Sequence, residues 1–247
     1  MLAVHEFSAD STVTLLAGRH NLPASVECEI DRLWNVEQAR RGKYLSNGLI
    51  FSAIEISPGQ ILGRTVEYRQ WIAQRGRPEL YDVLAVRPVA VAGLFECADG
   101  LIFGRRASTV TQDAGLWELV PSGGIDTSQL APGEVNYRAQ ILSELHEELG
   151  CRSDSVLSAT AFCLVEDLES HVLDIGIAML AQLSAAEVFR THHVAASQEY
   201  EELRVMTVAD VNEFVEREAS QLVPVSVALI RCMRDRRLCG YVVPDGV

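Results

Sequence analysis

The chain has 247 residues, enough for one large domain or two small ones with sizeable cores. Its composition, 48% hydrophobic and 22% charged, is that of an ordinary globular protein, and its formal charge of −13 argues against a nucleic-acid polymer as partner, because phosphate backbones are held through basic surfaces. No apolar run approaches the length of a membrane span, and the opening MLAVHEFSAD lacks the basic and apolar regions of a secretory signal, so a soluble cytoplasmic protein is expected.

The elements are legible in chain order. Val13–Leu16 and Leu49–Ile56 read as short strands. Val26–Arg41 and Val66–Arg75 read as helices, with Ile30, Leu33 and Trp34 on one apolar face and Tyr68, Trp71 and Ile72 on the other. From Val86 the pattern changes. Val86–Phe95 is a buried strand entered through Pro88, Ala98-Asp-Gly100 is a turn, and Leu101–Arg106 is the returning strand. Leu116–Ile125 leads through Gly123-Gly124 into a polar loop, and a helix is expected from near Glu134, with Ile141, Leu142, Leu145 and Leu149 as its apolar stripe and Gly150 as its stop. Strands at Ala159–Val165 and Val172–Leu183 follow, then a short Ser-capped helix at Ser184–Arg190 and a strand at Leu203–Thr207. Helices at Val208–Ala219 and Val223–Arg236 close the series, and the interleaving predicts a mixed sheet with helices on its faces.

One segment carries chemistry. In Ser143-Glu-Leu-His-Glu-Glu-Leu-Gly-Cys151, the carboxylates Glu144, Glu147 and Glu148 recur at i, i+3 and i+4 on one helix face. Like charges this close repel, and a divalent cation among them would turn the repulsion into attraction. Hard oxygen donors suit Mg²⁺, which leaves some of its positions to water or substrate phosphates. The alternative is a solvated acidic face. No Gly-x-x-x-x-Gly-Lys-Ser/Thr loop and no Gly-x-Ser-x-Gly elbow is present, so phosphate chemistry here would rest on metal. The six cysteines, Cys28, Cys97, Cys151, Cys163, Cys232 and Cys239, show no metal-type spacing and read as isolated reduced thiols.

From Gly123 to Cys151 the chain resembles the Nudix hydrolase signature, Gly-x5-Glu-x7-Arg-Glu-U-x-Glu-Glu-x-Gly-U with U aliphatic. Glu144 to Gly150 match it. Ser143 stands where the pattern has Arg, which in the family holds the following glutamate, Cys151 replaces the last aliphatic residue, and Glu134 is one residue out of register. The extended glycine loop, Trp34 and Tyr44-Leu-Ser-Asn-Gly-Leu-Ile-Phe51 are similar to the branch that hydrolyses UDP-glucose and UDP-galactose.

The resemblance implies an α/β/α sandwich with a mixed sheet over residues 86–247 and a small α+β accessory domain over residues 1–85. It implies Mg²⁺ (or Mn²⁺) held by Glu144, Glu147, Glu148 and the Gly123 carbonyl, hydrolysis of a nucleoside diphosphate derivative, and a homodimer as one arrangement, with its interface in the N-terminal region. A distant glutamate then serves as ligand or general base: Glu199, with Glu166 as the alternative. Arg105 and Arg106 could grip a phosphate or be solvated strand-end charges, and Asp126 could face substrate or only form a turn. His171, His192 and His193 read as surface residues. Trp34, Trp71 and Trp117 read as core packing, with base stacking as the alternative.

Overall fold

The computed structural model describes residues 1–236 apart from 19, 42–44, 111, 129, 196 and 198, so Tyr44 and Cys239 lie outside the described residues. Among the described residues there are twelve strands. These are β1 (Leu2–His5), β2 (Thr12–Leu15), β3 (Leu49–Ser57), β4 (Gln60–Glu67), β5 (Val89–Cys97), β6 (Gly100–Arg106), β7 (Trp117–Leu119), β8 (Ser122–Gly124), β9 (Gly133–Glu134), β10 (Val156–Asp167), β11 (Leu173–Ala181) and β12 (Tyr200–Met206). Among the described residues seven α-helices accompany them: α1 (Ala24–Arg41), α2 (Tyr68–Gly76), α3 (Tyr81–Leu84), α4 (Tyr137–Leu149), α5 (Ala185–Ala195), α6 (Val208–Glu218) and α7 (Pro224–Arg236).

The larger sheet runs β1-β10-β11-β5-β6-β12 and is mixed, because β11 and β5 are parallel while the other neighbours are antiparallel. Successive side chains on a strand point to opposite faces, so each strand feeds two cores. On β5 and β11, Val89, Val91, Ile175 and Ile177 pack with Ile141, Leu145 and Leu149 of α4 and Val188 of α5. On the other face, Ala92, Leu94, Leu101 and Phe103 pack with Val211 and Phe214 of α6 and Leu229 and Ile230 of α7. Helices thus cover both faces, which is the α/β/α sandwich with a mixed sheet.

A second sheet, β3-β4-β2-β9, is also mixed. One of its faces joins the α4 core through Val13, Leu15, Phe51 and Ile61. Ile30, Trp34, Trp71 and Ile72 of α1 and α2 build a separate core with Val66. The two parts of the chain exchange strands: β1, from the N-terminal stretch, pairs with β10, and β9, from beyond residue 86, pairs with β2.

Several boundaries differ from the expected ones, and three of the differences have a visible physical cause. The helix expected at Val66–Arg75 begins at Tyr68, because Val66 is drawn into β4 opposite Ile50. The acidic helix begins at Tyr137 rather than near Glu134, because Gly133 and Glu134 pair with β2 and Asn136 caps the helix by accepting from the Ala139 N–H at 3.0 Å. The strand expected from Val86 starts at Val89, since the backbone of Val86 is bound on both sides by the Gln74 amide at 2.8 Å.

Between β5 and β6 only two residue pairs are matched near the turn, and the strands then diverge. β7 lines the exposed edge of β6 and β8 that of β5, which brings the glycine segment into the middle of the sheet. Facing it, α4 ends at Gly150, whose φ of +67° is left-handed. A Cβ there would lie 2.6 Å from the backbone oxygen of Thr191 in α5. Gly150→Ala is therefore expected to cost at least about 1–2 kcal/mol from the left-handed conformation alone, measurable as a lower midpoint in urea unfolding.

Candidate active site

The face of α4 that turns from the core lies over β8. Leu145 and Leu149 are fully buried against the sheet, and this fixes the rotation that carries Glu144 and Glu148 toward the glycine segment. Gly123 has no room for a side chain: a Cβ would stand 2.2 Å from the Glu144 carboxyl carbon. Glu144 Oε1 accepts a hydrogen bond from the Gln140 amide at 2.7 Å, one turn back along the helix. Glu148 is 3% exposed, and its Oε2 accepts from the Ser122 N–H at 3.2 Å and from the Tyr200 hydroxyl at 3.3 Å. Glu147 points outward and accepts from the Ser143 hydroxyl at 2.8 Å.

Behind these lies a second layer. The Tyr200 hydroxyl also donates to Glu118 at 2.8 Å, and Glu118 is ion-paired with Arg106. The same guanidinium lies 3.6 Å from Glu199. Long-range strand pairing makes this cluster, since Arg106 on β6 stands opposite Tyr200 on β12 and β7 places Glu118 beside Gly104.

The electrostatics follow from this crowding. Burial pushes the Glu144 carboxyl up to about 7, with the Glu147 and Glu199 carboxylates adding to it and the Gln140 bond opposing it. Burial also raises Glu148 well above the usual carboxylate range, helped by Glu199, Glu118 and Glu144. Glu118 is pushed up to about 7, where burial outweighs the pull of Arg106 and Tyr200. Glu199 is raised by burial against the attraction of Arg106. One guanidinium thus serves several buried acids, and the surplus is negative.

Among the described residues, no three His, Cys, Asp or Glu side chains are already gathered around a point that could hold a metal ion. The donor set nevertheless fits a hard divalent cation: among the described residues the buried Glu148 and half-buried Glu144 carry no cationic partner, and the lack of a Cβ at Gly123 lets the Glu144 carboxylate reach the backbone there. Completing the set needs Glu147 to turn from Ser143.

The expected residues divide between this site and elsewhere. Gly123, Glu144, Glu148, Glu199 and Arg106 come together. Arg105 points to the opposite face of the sheet from its neighbour Arg106, and its ion pair is with Glu202 at 3.8 Å. Asp126 is exposed and closes a local turn by accepting from the Ser128 N–H at 2.7 Å. Glu134 is exposed on β9. Glu166, the alternative base, is bound to His5 at 2.9 Å and Arg87 at 3.0 Å where β10 meets β1.

Of the aromatic and imidazole candidates, Trp34 and Trp71 are buried in the α1–α2 core. Trp117 is buried on the α6–α7 face, with Arg204 stacked over its ring at 4.3 Å. A ring nitrogen of His192 lies 2.9 Å from the Glu148 backbone oxygen, and His171 stacks on Tyr81.

Glu118 and Tyr200 were not singled out from sequence. The available signal for Glu118 was a carboxylate between Trp117 and Leu119 in a strand whose neighbours are all apolar.

No family model and no curated protein matches the chain. Among solved structures it is similar to a MutT protein from Methanosarcina mazei Go1, at 19% identity over 61% of this chain and 96% of that one, with a TM-score of 0.41. It is also similar to a NUDIX hydrolase from Nitrosomonas europaea, at 14% identity over 79% and 90% of the two chains, with a TM-score of 0.42. A bifunctional NMN adenylyltransferase/ADP ribose pyrophosphatase from Francisella tularensis aligns at 11% identity over 67% of this chain and 48% of that one, with a TM-score of 0.43, so the match spans about half of that protein.

The raised carboxyls give a pH dependence whose sign is fixed. A carboxyl with a higher pKa folded than unfolded binds more protons in the folded state, so it favours folding below the unfolded value of about 4.3 and loses that contribution as pH rises through the folded value. With Glu118 and Glu144 both at about 7, the metal-free protein is expected to lose stability between roughly pH 4.5 and 7. Glu118→Gln should flatten that slope in unfolding curves taken across the range.

Proposed function

We propose that this chain is a Nudix-type pyrophosphohydrolase that uses Mg²⁺ or Mn²⁺ to cleave the diphosphate bond of a nucleoside diphosphate derivative. The substrate class we favour is a nucleotide sugar such as UDP-glucose, giving a nucleoside monophosphate and a sugar 1-phosphate. The observation that carries the reading is the seating of Glu144 against Gly123 with Glu148 buried beneath Ser122. It brings both halves of the sequence motif, glycine segment and acidic helix, to one point.

In this reading Glu144, Glu147 and Glu148 hold the cation with the Gly123 carbonyl. A divalent ion bound there would screen the charge of the diphosphate and polarise its phosphorus. Glu199 acts as general base, and its raised affinity for a proton suits a group that must accept one from water near neutral pH. Glu166 does not fit that role, since its two oxygens already bind Arg87 and His5. Arg106, next to Glu199, is the cation best placed to meet a phosphate oxygen. Arg105, paired with Glu202, and Asp126, in its local turn, are assigned no step in this reading. The division near residue 85 is proposed as one of roles, accessory before and catalytic after, while the exchanged strands β1 and β9 bind the two parts together.

A second reading is a nucleotide-binding domain that does not hydrolyse its ligand. Ser143 in place of the box Arg and the outward turn of Glu147 favour it. A panel of nucleotide sugars, ADP-ribose and dinucleotides, assayed with Mg²⁺ and Mn²⁺, separates the two. One preferred substrate is expected; tight binding without turnover would establish the second reading instead. In the active protein, Glu147→Gln and Glu148→Gln should each lower kcat by about 10²–10³-fold with an unchanged circular dichroism spectrum. Wild-type rates in both would remove the metal assignment.

A further inference from the structure

The three carboxylates on α4 are each held by neutral groups. Gln140 donates to Glu144 at 2.7 Å, Ser143 to Glu147 at 2.8 Å, and Ser122 and Tyr200 to Glu148 at 3.2 and 3.3 Å. Among the described residues, no arginine or lysine pairs with any of them. In the pattern this helix resembles, an arginine at position 143 would hold the following glutamate, and here that place is a serine engaged with a different carboxylate.

We propose that Gln140 is the positioning residue for Glu144, doing from one helical turn away what an arginine at 143 would otherwise do. Residues four apart on a helix face each other, so the Gln140 amide meets the Glu144 carboxylate without bending the chain. The carboxylate is then confined from two sides, by the amide and by the backbone at Gly123. A guanidinium in this position would also neutralise the carboxylate. An amide fixes its direction and leaves its whole charge for a cation.

This inference rests on the metal-site reading, so its test reads cation binding separately from catalysis. Four chains form a cycle: the unaltered protein, Gln140→Met, Ser143→Arg and the double variant. Methionine keeps the length and helix propensity of glutamine but removes the donor. Mn²⁺ affinity is measured by the electron paramagnetic resonance signal of free Mn²⁺, and kcat and KM on the substrate found by the panel. A hydrogen bond to a charged group corresponds to roughly tenfold or more in an equilibrium constant. Gln140→Met should therefore weaken Mn²⁺ binding by about tenfold or more and lower kcat with little change in KM. In the Ser143→Arg background the same change should cost no more than about twofold, the scatter expected of uncoupled sites.

Unchanged Mn²⁺ affinity in Gln140→Met, or an equal loss in both backgrounds, overturns the proposal. If the unaltered protein binds Mn²⁺ but hydrolyses nothing, the hydrolase reading fails and the Mn²⁺ cycle still decides the role of Gln140. Absence of Mn²⁺ binding by the unaltered protein overturns both.

Discussion

The contact between the Glu144 carboxylate and the backbone at Gly123 sets the spacing of everything around it. With 2.2 Å between the carboxyl carbon and the place a Cβ would occupy, helix and strand approach as closely as a glycine allows. That approach needs a strand in the middle of the sheet at this height, and β8 is there because β5 and β6 part beyond their turn. It also needs α4 held in one rotation, which Ile141, Leu145 and Leu149 supply by burying a single stripe. The smaller sheet braces the start of that helix: Asn136 caps it directly after β9, and the Tyr137 hydroxyl donates to the Ser11 carbonyl at 3.2 Å.

Charge is distributed unevenly across this frame. At the other end of the sheet, Glu166 is neutralised by Arg87, and on α1 and α2 the guanidinium of Arg69 meets Glu27, Asp31 and Glu67. Behind the α4 carboxylates Arg106 enters, and it is engaged by Glu118. Burial makes these acids hold their protons more tightly, with no cation beside Glu144 and Glu148 among the described residues to oppose it, and at Glu118 it outweighs the pull of Arg106. The same shortage of positive charge makes the site receptive to a divalent ion, because the ion would supply what the chain omits.

Much of this was readable along the chain. The stripe of α4, its stop at Gly150, the acidic spacing and the glycine pair all depend on residues close in sequence, and a helix turns local spacing into a face in a fixed way. The later strands and helices were legible for the same reason. What sequence blurred was set by partners far along the chain. Val66 looks helical until Ile50 pairs with it, and Glu134 looks like a helix start until β2 takes it into a sheet. Neighbouring arginines are equivalent on paper; in the sheet, strand alternation sends Arg106 to the acids and Arg105 to Glu202.

By itself, then, the sequence determined which residues could share a helix face and that three of them were carboxylates, because those relations lie within a few residues. Only the tertiary structure decided what surrounds those carboxylates. Tyr200, Glu118 and Arg106 arrive from three strands, and Tyr200 ties that cluster to Glu148. Strand pairing between distant segments fixes such contacts, and no local spacing encodes it.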